Sequence, residues 1–220
     1  MTWYVEVKDG TPDIETKRPR PVGWRDNDGN LATDKFLREQ HNLYPIDYRS
    51  GKPTIRRQTE MLSLRDPANW DVQKTKVVVT YDVEKFPLEK SVGGVLGLVR
   101  DTRYAFEVGG MSFSTDDGTQ LLIGTSRASQ GKITAEKEAA SDNNRNDDEL
   151  WKTANEEFVA LTNSEIKRMW REMRSMIAAS FQRESDLRDK VRNAADVSEL
   201  ESIMENDIPT GWPNNALHEV

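Results

Sequence analysis

The stretch TNSEIKRMWREMRSMIAASFQRESDLRDKV, residues 162–191, is the strongest structural signal in this chain of 220 residues. Its apolar residues recur at three- and four-residue steps, a spacing that keeps one face of an α-helix apolar. Thr162, followed three residues later by Glu165, has the pattern of a capping box, which favours a helix start at that point. The stretch therefore predicts one long helix, and the rest of the chain has to cover its apolar face.

The neighbouring sequence predicts shorter elements around this helix. Apolar periodicity favours helices over 88–107 and 117–140, with Asp116 and Asp117 as caps of the second. Further predicted elements are a strand at Met111–Phe113, a hairpin at 151–161 and a short helix from Asp196 to Met204. Together these patterns predict a small domain of two or three helices with β-hairpins over 88–205, followed by a tail at 206–220.

The N-terminal part has a different composition. Seven of the nine prolines come before residue 90, and proline is excluded from helix interiors and central strands. The runs WYVEV at 3–7 and VVVTYDV at 77–83 are typical of strands. Residues 1–87 are therefore predicted to form an extended, proline-rich arm with short strands, and the fold class to be α+β.

Composition excludes several classes of function. The chain has no cysteine, which excludes disulfides, thiolate metal sites and thiol nucleophiles. Its two histidines, His41 and His218, lie in polar sequence and do not suggest a catalytic triad. A net charge of −7 and a pI near 5.1 argue against nucleic-acid binding. The N-terminal residues lack the pattern of a signal peptide, and the sequence has no apolar run long enough to span a membrane.

Acidic residues are numerous, but none suggests catalysis. Residues 26–30 (DNDGN) do not have the spacing of a calcium loop and are interpreted as a turn. Glu107, between Phe106 and Val108, is the nearest candidate for a catalytic acid, and we interpret it as a helix-end residue bonded to backbone amides. We therefore predict a protein that is not an enzyme, with no catalytic, cofactor-binding or metal-binding residues.

Two interpretations remain open for the long helix. Met169, Trp170 and Met173 form either an ordinary core face or, because methionine and tryptophan suit adaptable interfaces, a groove for a partner. The candidate partner-contact residues are Trp3, Tyr4, Trp24, Tyr44, Met169, Trp170 and Met173. The KRPRP run at 17–21 is interpreted as solvated or as facing an acidic protein surface.

The order of motifs resembles a family of domains of unknown function encoded mainly by tailed bacteriophages. The relevant segments are FEVGGMSF (106–113), TDD (115–117), SRASQGKI (126–133), WKTANEEFVAL (151–161), IAASFQRESDL (177–187) and RNAADVSELESI (192–203). The residues that match are Glu107, Gly109, Gly110, Thr115, Asp116, Trp151, Lys152, Thr153, Phe181, Ala194 and Ala195. Ser129 and Gln130 also match, but only after an insertion. The resemblance covers 88–205, and members of this family tend to be encoded among tail-fibre, baseplate and fibre-assembly genes.

The resemblance implies a structural virion component of a phage tail tip, baseplate or tail-fibre attachment. The implied partners are other tail, baseplate or fibre proteins and further copies of the chain, without nucleic acid or membrane insertion. The implied location is the virion tail, after assembly in the host cytoplasm. An alternative is a tail-fibre assembly chaperone absent from the mature virion. A third alternative, a peptidoglycan hydrolase, lacks a recognisable nucleophile, zinc site or buried acid.

Overall fold

A computed structural model describes residues 2–213, and the chain divides into two compact units, Met1–Phe86 and Pro87–Val220. The fold class is α+β, as predicted. Each unit has its own hydrophobic clusters. The two units are described separately below.

The first unit is built mainly from short strands. In chain order its elements are β1 (Trp3–Lys8), β2 (Thr11–Pro19), α1 (Asp34–His41), β3 (Leu43–Asp47), β4 (Glu60–Leu64), a 3-10 turn (Pro67–Asn69), β5 (Asp71–Val72), β6 (Val77–Val78) and β7 (Tyr81–Lys85). Five strands form a sheet in the order β2-β1-β3-β6-β5, in which only the β3–β6 pair is parallel. Strands β4 and β7 form a separate two-stranded antiparallel sheet.

Strand β1 is the centre of this unit because it buries residues on both of its faces. Successive side chains of a strand point to opposite faces. Val5 and Val7 therefore pack in one cluster, which also contains Trp70. Tyr4 points the other way and packs in a second cluster with Leu37 of α1.

The extended arm predicted for residues 1–87 is not confirmed, because residues 2–86 form a compact unit with buried clusters. Two prolines, Pro12 and Pro19, lie in β2 at the edge of the sheet. An edge strand tolerates proline, because the missing N–H donor does not remove a hydrogen bond between strands. Pro67 begins the 3-10 turn, a position that proline also tolerates. The apolar residues that make the clusters come from short strands far apart in the sequence, so no local periodicity revealed them.

The prediction of one continuous strand at 77–83 was wrong. Val77 and Val78 belong to the five-stranded sheet, whereas Tyr81–Lys85 pairs with β4. Between them, the Thr80 hydroxyl donates to the backbone oxygen of Asn69 at 3.0 Å. The run therefore divides between two sheets at Val79 and Thr80.

The second unit contains the longer helices. Its elements are α2 (Leu88–Val108), β8 (Met111–Ser114), β9 (Gln120–Ile123), α3 (Arg127–Ser141), β10 (Leu150–Lys152), β11 (Phe158–Ala160), α4 (Asn163–Arg192), α5 (Val197–Ser202) and a π-helical turn (Ile203–Asp207). The strands form two antiparallel hairpins, β8–β9 and β10–β11. The predicted capping box is confirmed, since Thr162 and Glu165 bond reciprocally at the start of α4.

The prediction of a helix over 117–140 was wrong for its first ten residues, 117–126. Leu121 and Ile123 are buried at a spacing of two, and β9 pairs with β8 in a hairpin. Helix α3 begins only at Arg127, with Ser126 as its cap. Asp116 and Asp117 therefore lie in the β8–β9 turn, not at a helix start.

Helix α4 connects the two clusters of this unit. Its N-terminal half contributes Met169 and Met173 to a cluster with the β8–β9 hairpin and α3. Its C-terminal half contributes Leu187 and Val191 to a cluster with α2 and α5. The ordered unit extends past the predicted boundary at 205, because Ile208 is buried in this second cluster. Residues 214–220 of the predicted tail, including His218, lie outside the described residues.

Candidate functional site

A buried carboxylate, Glu107, lies at the C-terminal end of α2. Its side chain is fully buried. One of its oxygens pairs with Arg103, one helical turn earlier, and the other lies 3.0 Å from Arg127 at the start of α3. Gln130 of α3 also donates to it at 3.4 Å. Both carboxylate oxygens are therefore held by side chains, not by the backbone amides that we expected.

Arg103 extends this charge cluster to α4. Its Nε lies 3.0 Å from Glu184, and both of these side chains are largely buried. The guanidinium group also lies over the ring of Phe181, 4.5 Å from the centroid, in the geometry of a cation–π contact. Glu107, Arg103 and Glu184 thus join α2, α3 and α4 through charged groups inside the second unit.

The segment after Glu107 is hydrogen-bonded to residues beside the same cluster. Gly110 has a φ of 94°, a region that favours glycine, and its N–H donates to the buried hydroxyl of Thr125 at 2.8 Å. Gln130 donates to the backbone oxygen of Thr125 at 2.9 Å. Four residues that carried the family resemblance, Glu107, Gly110, Gln130 and Phe181, therefore meet at one point of the structure.

A groove of about 590 Å³ opens beside this cluster, between α3 and α4. Met173, Ile177 and Phe181 of α4 supply apolar lining, and Arg127 and Arg174 supply cations. Glu107 is among its lining residues, together with Glu138. The arrangement combines an apolar floor with fixed charges, as expected of a binding surface.

The cluster around Glu107 is better suited to stabilising the packing of the helices than to transferring a proton. A general acid needs a carboxyl that can release its proton to a bound substrate, whereas arginines occupy both oxygens of Glu107. Removing one partner of a buried ion pair leaves the other charge uncompensated and is strongly destabilising. Glu107 therefore acts chiefly as an anchor of the groove.

A second acidic cluster lies at the start of α4. Burial by itself would raise the pKa of Glu165, but hydrogen bonds from the backbone N–H groups of Asp116 and Thr162 outweigh it and lower that pKa. Asp116 also pairs with Arg168 of α4. Both acids therefore connect the β8–β9 turn to α4.

The structure separates the candidate partner-contact residues into two groups. Tyr4, Met169 and Met173 are buried in their own units, and of these three Met173 borders the α3–α4 groove. Burial and a hydrogen bond to Asp34 raise the pKa of Tyr4 to about 12. Trp3 is 37% exposed, and Trp24, Tyr44 and Trp170 are partly buried. Of the two interpretations of Met169, Trp170 and Met173, the core face therefore holds for the two methionines. Trp170 is only partly buried, and Lys137 lies over its ring, 5.1 Å from the centroid.

Sequence reasoning missed Arg103, Arg127 and Glu184. The spacing of four residues between Arg103 and Glu107 was a readable signal of an ion pair on one helix face. The roles of Arg127 and Glu184 depend on the packing of three helices and had no local signal.

Other candidate chemistry is limited in the part of the chain described. His41 is exposed and lies edge-on to Trp24 at 4.7 Å between ring centroids. Among residues 2–213, no three histidine, aspartate or glutamate side chains are grouped so that they could hold a metal ion. Within the same range, no helix has both the length and the hydropathy needed to cross a bilayer.

Comparison with known proteins gives one result. Residues 96–208 match the model of a family described as a domain of unknown function, DUF4376. No curated protein and no solved structure matches the chain. The matched segment begins within α2, ends just after the π-helical turn and contains the Glu107 cluster. Because it covers 113 of the 220 residues, the chain belongs to the DUF4376 family.

Proposed function

We propose that the protein is a structural component of a bacteriophage tail, at the tail tip, the baseplate or the attachment of a tail fibre. Its role is to join proteins by surface contacts, and it is not an enzyme. The observation that carries this proposal is a pair of two-stranded antiparallel sheets, one in each unit, whose strands present apolar side chains to solvent.

The two-stranded sheet of the first unit is formed by β4 and β7. In its register Leu62 lies opposite Val83 and Leu64 opposite Tyr81, so these four side chains share one face. Leu64 is 58% exposed, and Val83 is also exposed. A two-stranded ribbon with an apolar face is marginally stable in water, so contact with another protein would stabilise it.

The hairpin of the second unit is formed by β10 and β11. Trp151 and Val159 face inward and pack on the α3–α4 cluster. Leu150 and Phe158 face outward and are 67% and 65% exposed. An exposed phenylalanine and leucine on one face are typical of a protein contact surface.

The phage assignment is supported by the order of motifs, from FEVGGMSF at 106–113 to RNAADVSELESI at 192–203. The same residues give the Glu107 cluster and the groove beside it. In the second unit, an ion-paired cluster beneath an exposed apolar hairpin agrees with a structural role in an assembly. The arginine-bound oxygens of Glu107 argue against the alternative of a peptidoglycan hydrolase.

Mass spectrometry of gradient-purified phage particles tests the proposal. We expect the polypeptide in the particles in a fixed ratio to known tail proteins. Its presence in infected cells together with its absence from particles would overturn the proposal and favour a fibre-assembly chaperone.

A matched pair of variants sharpens this test. Leu64→Ser removes an exposed apolar side chain from the β4–β7 sheet, and we expect less of this variant in particles. Tyr104→Ser removes a similarly exposed side chain from α2, which belongs to neither two-stranded sheet, and should leave incorporation unchanged. Equal incorporation of the two variants would contradict a role for the apolar face of the β4–β7 sheet.

A further inference from the structure

The second unit carries a strongly acidic hairpin surface. Residues 142–157 contain two cationic residues, Arg145 and Lys152, against six acids, Asp142, Asp147, Asp148, Glu149, Glu156 and Glu157. Arg145 is buried and paired with Glu136, so it does not offset the surface charge. The outward side chains Leu150 and Phe158 lie within this acidic region. We call this combination the acidic hairpin surface.

The α3–α4 groove has the opposite character. Its apolar floor is formed by Ile177 and Phe181, and Trp170 precedes the groove on the same row of α4. Arg127 and Arg174 lie along it, and Lys137 lies over Trp170. Arg127 is itself an ion-pair partner of Glu107, so these two charges compensate each other, and Arg174 and Glu138 are the other charged residues of the lining. The positive excess therefore comes from Lys137 over Trp170 and from the exposed cations on the flank of α4. We call this surface the basic groove.

Three cations on the flank of the basic groove have no partner. Lys167, Arg171 and Arg174 follow one another at spacings of four and three residues, so they lie on one face of α4. Among residues 2–213 none of the three forms an ion pair. Most other cations of α4 are paired, including Arg168 and Arg188. The unpaired cations therefore mark this flank as a surface complementary to an acidic partner.

We propose that the basic groove binds the acidic hairpin surface of a second copy of this chain. Phe158 and Leu150 of one copy enter the groove over Ile177 and Phe181 of the next. The carboxylates around the hairpin lie against Arg174 and its unpaired neighbours. The two surfaces match in both properties, since each combines an apolar centre with charges of opposite sign.

The acidic hairpin surface of one copy cannot bind the basic groove of the same copy. The inward residues Trp151 and Val159 attach the hairpin to the α3–α4 cluster, which keeps Leu150 and Phe158 pointing outward. The hairpin and the groove also share no residue, so one copy can use both at once. Contacts of this head-to-tail kind produce rings when the rotation closes and filaments when it does not. The inference concerns the second unit alone and does not depend on the phage assignment.

Sedimentation velocity of the purified full-length protein over a range of concentrations tests the proposal. We expect a weight-average mass above that of the monomer, rising with protein concentration at low salt. The association should weaken in about 1 M salt, where screening acts within about 3 Å. A wild-type protein that stays monomeric throughout would overturn the inference, even if the protein is found in phage particles.

Two variants and their mixture make the test specific. The hairpin variant is Leu150→Ser with Phe158→Ser, and the groove variant is Arg171→Glu with Arg174→Glu; all four side chains are exposed, so both proteins should fold. Each variant alone should be monomeric. Mixed in equal amounts they should form a one-to-one dimer, because each keeps the surface that the other has lost.

The control is Arg100→Glu, a charge reversal at an exposed position of α2 away from both surfaces. It should associate like the wild type. A mixture that stays monomeric, or a control that dissociates as the groove variant does, would overturn the head-to-tail arrangement. If the hairpin double variant melts at a lower temperature, Phe158→Ser alone should still reduce association at least tenfold; an unchanged association would also overturn it.

Discussion

The two units of this protein bury their apolar residues in different ways. The first has two small clusters, of six and four buried residues, drawn from strands and a helix spread over residues 4–79. The second has clusters of eleven and eight buried residues, organised largely by helices α2, α3 and α4. Short strands can therefore form a compact unit without a periodic pattern in the sequence, whereas helices show their apolar face as a spacing of three and four residues.

The units also differ in their ion pairs. In the second unit Glu107 is fully buried between arginines of two helices. In the first unit Asp47 and Lys76 pair at 2.6 Å but remain partly exposed. Since water screens exposed charges, the buried pair should matter far more to stability.

The largest effect is expected from Glu107→Gln. The change leaves Arg103 and Arg127 without their shared carboxylate and should lower the free energy of unfolding by about 3–5 kcal/mol. Denaturant unfolding measures this change in the free energy of unfolding. Asp101→Asn, in the same helix but exposed and paired only with Arg100, is the control and should change stability by less than about 0.5 kcal/mol. Equal effects would mean that the buried cluster does not hold the three helices.

Removing one buried side chain from each unit tests whether the units are separate. Met169→Ala and Leu43→Ala should each cost about 2–5 kcal/mol, because both side chains are fully buried. Hydrogen exchange should localise the damage to α3 and α4 in the first case and to β1 and β3 in the second. If either variant accelerates exchange across both units, the comparison between two separate units is wrong.

Loss of a helix cap should have a smaller effect. Thr162→Ala removes a full capping box and should cost about 0.5–2 kcal/mol. Thr33→Ala in the first unit removes a single hydrogen bond, from the N–H of Phe36, and should cost less. Thermal unfolding compares the two variants. A larger loss for Thr33→Ala would show that the reciprocal bond from Glu165 adds nothing to the α4 cap.

The smallest effect concerns acid stability. The pKa of Glu165 is lowered in the folded state, so its ionised form stabilises the fold above its ordinary pKa of 4.5. This contribution disappears as the pH falls below 4.5 through the lowered value. Glu165→Gln should therefore flatten the loss of stability in that range while lowering stability at neutral pH. Asp47→Asn removes a lowered pKa in the first unit and should flatten the loss of stability that begins below the ordinary aspartate pKa of 3.8. Unfolding curves between about pH 2 and 7 that keep their slope in both variants would contradict these assignments.

Much of the second unit could be predicted because its signals are local. Thr162 and Glu165 bond to each other across one turn, so their spacing was sufficient to place the start of α4. The β10–β11 hairpin and the α5 cap at Asp196 were predictable for the same reason. The error at residues 117–126 arose because Leu121 and Ile123 can belong to either a helix or a strand until their pairing with β8 is known.

The α+β class, the long capped helix and the net negative charge follow from the amino-acid sequence alone, since each depends on neighbours within a few residues or on composition. The tertiary structure was needed to show that residues 2–86 form a compact unit, because pairs such as Ile46 with Val77 join strands that are distant in the chain. It also decided the environment of Glu107. Its carboxylate is bound by Arg127, twenty positions later on another helix, and the packing of α2 against α3 and α4 is what removes that carboxylate from water.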